Sequence, residues 1–386
     1  MRLLFINDHP FPYGDAFSSR ARSLCLLFKE AGFQVHVIAV RTKDEQIEIN
    51  KVYELDGFTY EIASKKKMTS AESFFGNRDM KYAIMHYLEE NQVDMVFSSA
   101  CPNYYRNISK VCKKKGIIYI VEQCEWLDIS NYKFSYIDYR YLNEKWIREG
   151  GYKGASGVIA ISRLLQEYYE NKGTRAIRIP TILDTNTIDW STKTTNEKIN
   201  IVYTGNPGVS KEYLLPIIQA IVTSDKLKKK VVFHIYGPSL ENVKQNIGRD
   251  LEYLLLDNND CIVIHGRVPQ EEIHGIIQMA DYQIFIRLNR RSSNAGFPTK
   301  MGESMACGTP VITNITGDIG LYLEDGLNGF VVNGIDKDSV TEALVKACEL
   351  SKEQYGKMRM NARRTAEKEF NYQSYIQKVK TFFSSL

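Results

Sequence analysis

Short apolar runs, each closed by a turn and followed by a helical stretch, recur along nearly the whole chain. Leu3-Leu4-Phe5-Ile6 is the first, and residues 35–40, 94–97, 117–121 and 157–162 continue the series. A second series occupies residues 199–203, 231–236, 261–265, 282–286, 311–313 and 329–332. Runs that are apolar throughout, rather than alternating, belong to strands covered on both faces, and the strand–helix–strand order requires a parallel sheet. Helices are predicted over residues 18–31, with Gly32 as the stop, and over 270–280 and 339–350. The fold class is therefore α/β, with two doubly wound, Rossmann-like units in series. A polar joint at residues 192–196, Thr-Lys-Thr-Thr-Asn, separates residues 1–190 from residues 191–370. The segment 371–386 is amphipathic, with Tyr375, Val379, Phe382 and Phe383 on one side. A length of 386 residues suits two domains of ordinary size.

Composition narrows the function classes. Hydrophobic residues at 44% and charged residues at 25% are those of a soluble globular protein. A net charge of +4 makes no demand for a nucleic-acid partner. Basic runs at Lys65-Lys66-Lys67, Lys113-Lys114-Lys115 and Lys228-Lys229-Lys230 are either solvated helix ends or points of attraction to an anionic membrane face. Seven cysteines with no Cys-x-x-Cys spacing indicate free thiols in a reducing compartment. The N-terminal apolar run of four residues is too short for a signal peptide's core. No window approaches the ~18 apolar residues of a membrane span. The expectation is a cytoplasmic protein whose membrane contact, if any, is peripheral and at the inner face.

Residues 294–313 carry the densest chemistry. Gly296-Phe297-Pro298 leads into a helix over 299–306, and Cys307-Gly308-Thr309-Pro310 then feeds the run that starts at Val311. Free N–H groups at such a helix start bind anions, and the helix dipole adds to the attraction. Lys300 lies in the first turn, within reach of a phosphate. Glu303 lies one turn on, placed to accept from a sugar hydroxyl.

This stretch resembles the C-terminal half of GT-B glycosyltransferases, in particular the retaining family-4 type. Glu303-Ser-Met-Ala-Cys-Gly-Thr-Pro-Val matches the second half of the family's two-glutamate motif. The first glutamate of that motif falls at position 295, where this chain has Ala295. The resemblance implies two Rossmann-like domains facing across a cleft, with a C-terminal helix crossing back onto the first. It also implies a nucleotide-sugar donor, UDP- or GDP-linked, as substrate, with no further cofactor. Ala295, Gly296, Phe297, Pro298, Thr299, Lys300 and Glu303 are the matching donor-site positions.

Other segments fit the same pattern in order. Thr204-Gly205-Asn206-Pro207-Gly208 followed by Lys211 resembles the family's diphosphate loop, although Asn206-Pro207 stands where most members place an arginine. Arg287 or Lys300 is then expected to share that task. Such a glycine turn also occurs in ordinary strand-to-helix connections. His265-Gly266-Arg267-Val268-Pro269 resembles the strand end beside the nucleobase, with the Arg267 and Val268 amides reading the base edge. Asp281 is expected to position the strand that follows it.

In the first half, Gly14 is the candidate for the family's glycine loop against donor phosphate or acceptor, and a plain turn is the alternative. Glu125 is the candidate polar group near the anomeric centre, with His9 as its alternative. Lys211, Lys300 and Glu125 are thus the candidate catalytic residues. No Asp-x-Asp pair sits at a strand end, so no metal is implied. Residues 135–149 are aromatic with interleaved charge, and suit either a bilayer surface or an ordinary helix over the first sheet. A glycan or a lipid-linked molecule is the expected acceptor. Because Ala295 replaces a donor-facing glutamate, a catalytically silent GT-B protein that supports a partner transferase is the rival reading.

Overall fold

The computed structural model describes residues 1–64, 72, 77–99, 102–126, 138–190, 197–207 and 211–386. The candidate joint at 192–196, the run Lys65-Lys66-Lys67, residue Gly208 and residues 135–137 lie outside the described residues. The chain divides into two units: Met1–Leu183 with Tyr372–Leu386, and Asp184–Asn371. The division falls ahead of the polar joint, at Leu183/Asp184.

The first unit is built on an eight-stranded sheet. Its strands are β1 (Arg2–Pro10), β2 (Gln34–Arg41), β3 (Tyr53–Leu55), β4 (Phe58–Ile62), β5 (Met95–Ser99), β6 (Ile118–Gln123), β7 (Gly157–Ala160) and β8 (Ala176–Arg178). They run in the order β3-β4-β2-β1-β5-β6-β7-β8. Every pair is parallel except β3 with β4, a hairpin. The helix Ala16–Glu30 begins before the predicted residue 18, because the Asp15 carboxylate caps the amides of Phe17 and Ser18 while Ser18 returns a bond to the Asp15 amide.

Aromatic rings fill the core beneath β1. Phe5 and Phe97 lie 4.7 Å apart between centroids, and Phe28 meets Phe97 at 5.1 Å. The C-terminal helix Ile376–Ser384 inserts Phe383 into this cluster, 5.6 Å from Phe28 and 5.4 Å from Phe33. Tyr372, Tyr375 and Val379 are buried in the same core, so the apolar side read from the sequence packs on the first unit.

The second unit holds six parallel strands: β9 (Ile199–Thr204), β10 (Val231–Tyr236), β11 (Ile262–Gly266), β12 (Tyr282–Phe285), β13 (Val311–Asn314) and β14 (Gly329–Val332). Their order is β11-β10-β9-β12-β13-β14. The direction of winding reverses between β9 and β12, and the carboxyl ends of strands at such a reversal are where open α/β sheets bind ligands. Asp281 behaves as expected. Its carboxylate accepts from the Asn200 amide at 2.7 Å, tying the start of β9 to the chain entering β12.

The lysine runs at 113–115 and 228–230 occupy the last turns of the helices Pro102–Lys115 and Asp225–Lys230. Positive charge there complements the helix dipole. The described part of the aromatic segment forms the helix Tyr139–Glu149, whose buried Arg148 lies 4.4 Å over the Trp126 ring. That contact is an intramolecular packing role for this helix. Among the described residues no helix is long and apolar enough to cross a membrane.

Candidate functional site

The reversal point of the second sheet brings together a buried charged cluster. Lys300 enters it from the helix Thr299–Ala306, which starts at Pro298 without a side-chain cap. The Lys300 Nζ donates to Glu212 Oε2 at 2.5 Å, and the Tyr203 hydroxyl donates to the same oxygen. The ammonium lies 4.0 Å over the Tyr203 ring, a cation–π contact in a dry setting. Glu212 is 5% exposed and Lys300 9%.

Burial pushes the Glu212 carboxyl up, but Lys300, Tyr203 and Arg287 outweigh it and hold the group below the usual carboxylate range. Burial lowers the Lys300 pKa against the opposing pull of Glu212, with Arg287 and Lys211 adding to the depression.

Arg287 follows β12 and is fully buried, at 0% exposure. Its amide donates to Asn314 Oδ1 at 2.8 Å, and its Nη1 reaches Thr316 Oγ1 at 3.3 Å. Its Nε and Nη2 have no partner among the described residues. Two cationic side chains thus face one carboxylate, and two buried donors await an acceptor. Such unmet donors cost a fold stability until an acceptor fills them.

The roof of the cluster is glycine. Gly205, just past β9, has φ +113°, and a Cβ there would stand 3.5 Å from the Lys300 Nζ. Its amide donates to Tyr236 O at 3.0 Å, and the Gly237 amide donates to Gly266 O at 2.7 Å. Gly237 has φ +114°, and a Cβ on it would lie 2.3 Å from the Gly205 carbonyl oxygen. Gly237→Ala is therefore expected to lower stability by about 2 kcal/mol, from left-handed strain and displacement of the Gly205 loop. Thermal unfolding measures it, and an unchanged Tm would contradict the close approach.

The predicted positions are placed as follows. Lys211 is exposed and close enough to depress the Lys300 pKa, but it does not start a helix. The helix begins only at Leu215, and Glu212 instead forms an isolated antiparallel bridge with Arg287. Asn206 and Gly205 are exposed at the loop.

Ala295 and Gly296 are buried at the end of the helix Arg291–Ala295, and Thr299 is half-buried. The Phe297 ring is turned into the core, 5.4 Å from Tyr322 and 5.6 Å from Phe370, so only its backbone faces the helix start. Glu303 is half-buried one turn past Lys300, and burial raises its pKa against His274 and Lys300. Gly266, Arg267 and Val268 lie at the end of β11, with Arg267 exposed.

Glu212 and Tyr203 are the residues that the sequence reading passed over as ligands of the lysine. A carboxylate directly after Lys211 looks like a second surface charge, and only the bridge to Arg287 turns it inward.

In the first unit, Gly14 follows β1, and a Cβ on it would meet the Pro10 Cβ at 2.8 Å. His9 stacks on Phe17 at 4.1 Å. Burial lowers its pKa, with Asp15, Glu122 and Glu125 opposing. Glu125 is thus close to His9 and half-buried. Its neighbour Glu122 is committed to Arg20, whose Nε donates to Oε1 at 2.6 Å.

The two doubly wound parallel-sheet units have the GT-B fold class, and residues 198–349 match the family model of glycosyl transferases group 1. A putative glycosyltransferase, YtcC of Bacillus subtilis, is 26% identical over 139 residues, 35% of this chain and 32% of that protein. The matched stretch is therefore about a third of that relative's length. Sucrose-phosphate synthase of Thermosynechococcus elongatus superposes with a TM-score of 0.73 at 15% identity, covering 100% of this chain and 98% of that one. HepE of Anabaena, in complex with UDP-glucose, gives 0.69 at 15% identity, with 100% of both chains covered. These likenesses extend the fold over both units.

Proposed function

We propose that this chain transfers a glycosyl group from a nucleotide diphosphate sugar to an acceptor hydroxyl, with retention and without a divalent metal. The observation that carries the reading is the buried Lys300–Glu212–Arg287 cluster under the Gly205 loop, with its excess positive charge and two unpaired guanidinium donors. A departing diphosphate gains negative charge as the glycosyl bond breaks, so fixed cations and helix-start amides aimed at it lower the barrier.

Lys300 and Lys211 would meet the phosphates, with the amides at the start of Thr299–Ala306 beside them. Arg287 adds its charge from one layer deeper. Glu303 would hold a sugar hydroxyl, and Glu125 would stand near the anomeric carbon. HepE, which shares the fold, binds UDP-glucose, and this supports a UDP-sugar as the first donor to try. Assembly of a cell-surface polysaccharide on a glycan or lipid-linked acceptor, from the cytoplasmic face of the membrane, is the setting proposed.

Calorimetry without added metal, against UDP-, GDP- and ADP-sugars, tests the reading. Tight binding of one of them is the expected result. Failure of all three would favour a silent partner protein, with Ala295 as the reason.

A further inference from the structure

Against the helix Leu215–Thr223 of the second unit lies an open hollow of about 580 Å³ that the Lys300–Glu212–Arg287 cluster does not use. Its volume is within the usual range of small-molecule sites. Pro216, Gln219 and Thr223 line it at i, i+3 and i+7, one stripe of that helix. Tyr253 enters from the short helix Tyr253–Leu256, and Asp336 and Lys337 from the start of the helix Lys337–Glu349. Tyr213, the residue after Glu212, also lines it.

The lining holds one carboxylate and one ammonium. Asp336 Oδ1 accepts from the Asp338 and Ser339 amides at 3.0 and 2.9 Å, and so caps the helix that starts there. An anion entering the hollow meets that carboxylate and finds those amides taken. Lys337 Nζ stands 4.0 Å from Asp338 Oδ1, so neither sign of charge is left in excess. The remaining polar groups are neutral. Among the described residues, the Tyr213 and Tyr253 hydroxyls and the Gln219 amide have no hydrogen-bond partner. Together they offer both donors and acceptors. The rest of the lining is apolar, with two phenol rings, Pro216 and Ile335. Tyr253 is 52% exposed and Ile335 41%, so this apolar surface stands open to solvent. A ligand that suits the hollow is uncharged, with an apolar face for the rings and hydroxyls around its edge. A pyranose has that surface.

Resting on the transferase reading above, we propose that the hollow is a second saccharide site, which holds a neutral glycan on the protein apart from the donor cluster. Tyr253 and Tyr213 supply the aromatic wall, since each pairs an apolar ring with a polar tip. Gln219 supplies the amide that meets the sugar hydroxyls. A glycan held there keeps a high effective concentration on the protein between transfers, without a part in the chemical step.

The test is calorimetric titration of glucose, galactose, mannose, N-acetylglucosamine, maltose and glucuronate into wild type, Y253A and Q219A. UDP-, GDP- and ADP-sugars are titrated alongside, with thermal unfolding as a check on folding. At least one neutral saccharide is expected to bind wild type, and to bind each variant about tenfold more weakly, the scale of one aromatic contact or hydrogen bond. Nucleotide-sugar affinity is expected to be the same in all three proteins. A neutral saccharide held equally by all three sits elsewhere, and would overturn the hollow. So would a wild type that binds a nucleotide sugar but no saccharide. Glucuronate bound as tightly as glucose would overturn the assignment to an uncharged ligand. Saccharide binding that is lost in the variants, in a protein that binds no nucleotide sugar, would sink the transferase reading and leave the hollow a sugar site.

Discussion

Lys300→Ala is expected to lower kcat/KM for glycosyl transfer by on the order of a hundredfold, the ~3 kcal/mol that one preorganised charge or donor contributes at a transition state. The ammonium sits beneath the Gly205 loop and over the Tyr203 ring, where little water screens it. Its effect on a departing diphosphate would therefore exceed that of an exposed lysine such as Lys211. Hydrolysis or transfer from the donor identified by calorimetry supplies the readout. A variant with unchanged kcat/KM and donor affinity would remove Lys300 from the site. Because the same change leaves Glu212 buried without its cation, Lys300→Met combined with Glu212→Gln is the control. That pair is expected to recover stability without recovering activity.

Glu212→Ala is expected to cost about 3–5 kcal/mol of stability, the usual penalty for leaving a buried charge unpaired. It would strand Lys300 and Arg287 together with no counter-charge, and leave the Tyr203 hydroxyl without its acceptor. A Tm within a degree or two of wild type would show that the cluster is not load-sharing in this way. The wild-type carboxyl also sets a pH dependence. Its pKa in the folded chain lies below the ordinary 4.5, so its contribution is complete above that value and disappears as the pH falls through the folded pKa. Acid unfolding of wild type and Glu212→Gln should therefore converge at low pH. Curves that stay apart by the same margin throughout would contradict the assignment.

The layout of both sheets was legible because buried parallel strands leave continuous apolar runs, such as Leu3-Leu4-Phe5-Ile6 and Val311-Ile312-Thr313. The hairpin of β3 and β4 was overlooked although its turn, Asp56-Gly57, has the composition of a two-residue hairpin loop. Both residues have positive φ, +51° and +80°, as that turn demands.

Lys300 and Gly205 could be read from spacing, since each depends on a local helix start or turn, whereas the close approach of Gly237 could not. Glu212 could not, because its partner Lys300 is 88 residues away in sequence and only the folded sheet joins them. The orientation of Phe297 was hidden for a similar reason. Its place in the loop is local, whereas the direction of its ring is set by Tyr322 and Phe370.

Tyr372, Tyr375, Val379 and Phe383 belong to the core of the unit that begins at Met1, so the whole of Asp184–Asn371 is spliced into the middle of that unit's sequence. On the ribosome, the inserted unit has all of its own strands available while the first still lacks a wall of its core. Until the helix Ile376–Ser384 is made, Phe28 and Phe33 lack the Phe383 ring that packs on them. Transiently bare aromatic surface of this kind is what chaperones bind and aggregates grow from. Shortening the chain from its C-terminal side would expose that surface permanently, and so would harm the unit farthest from the cut in sequence before it touched the one next to it.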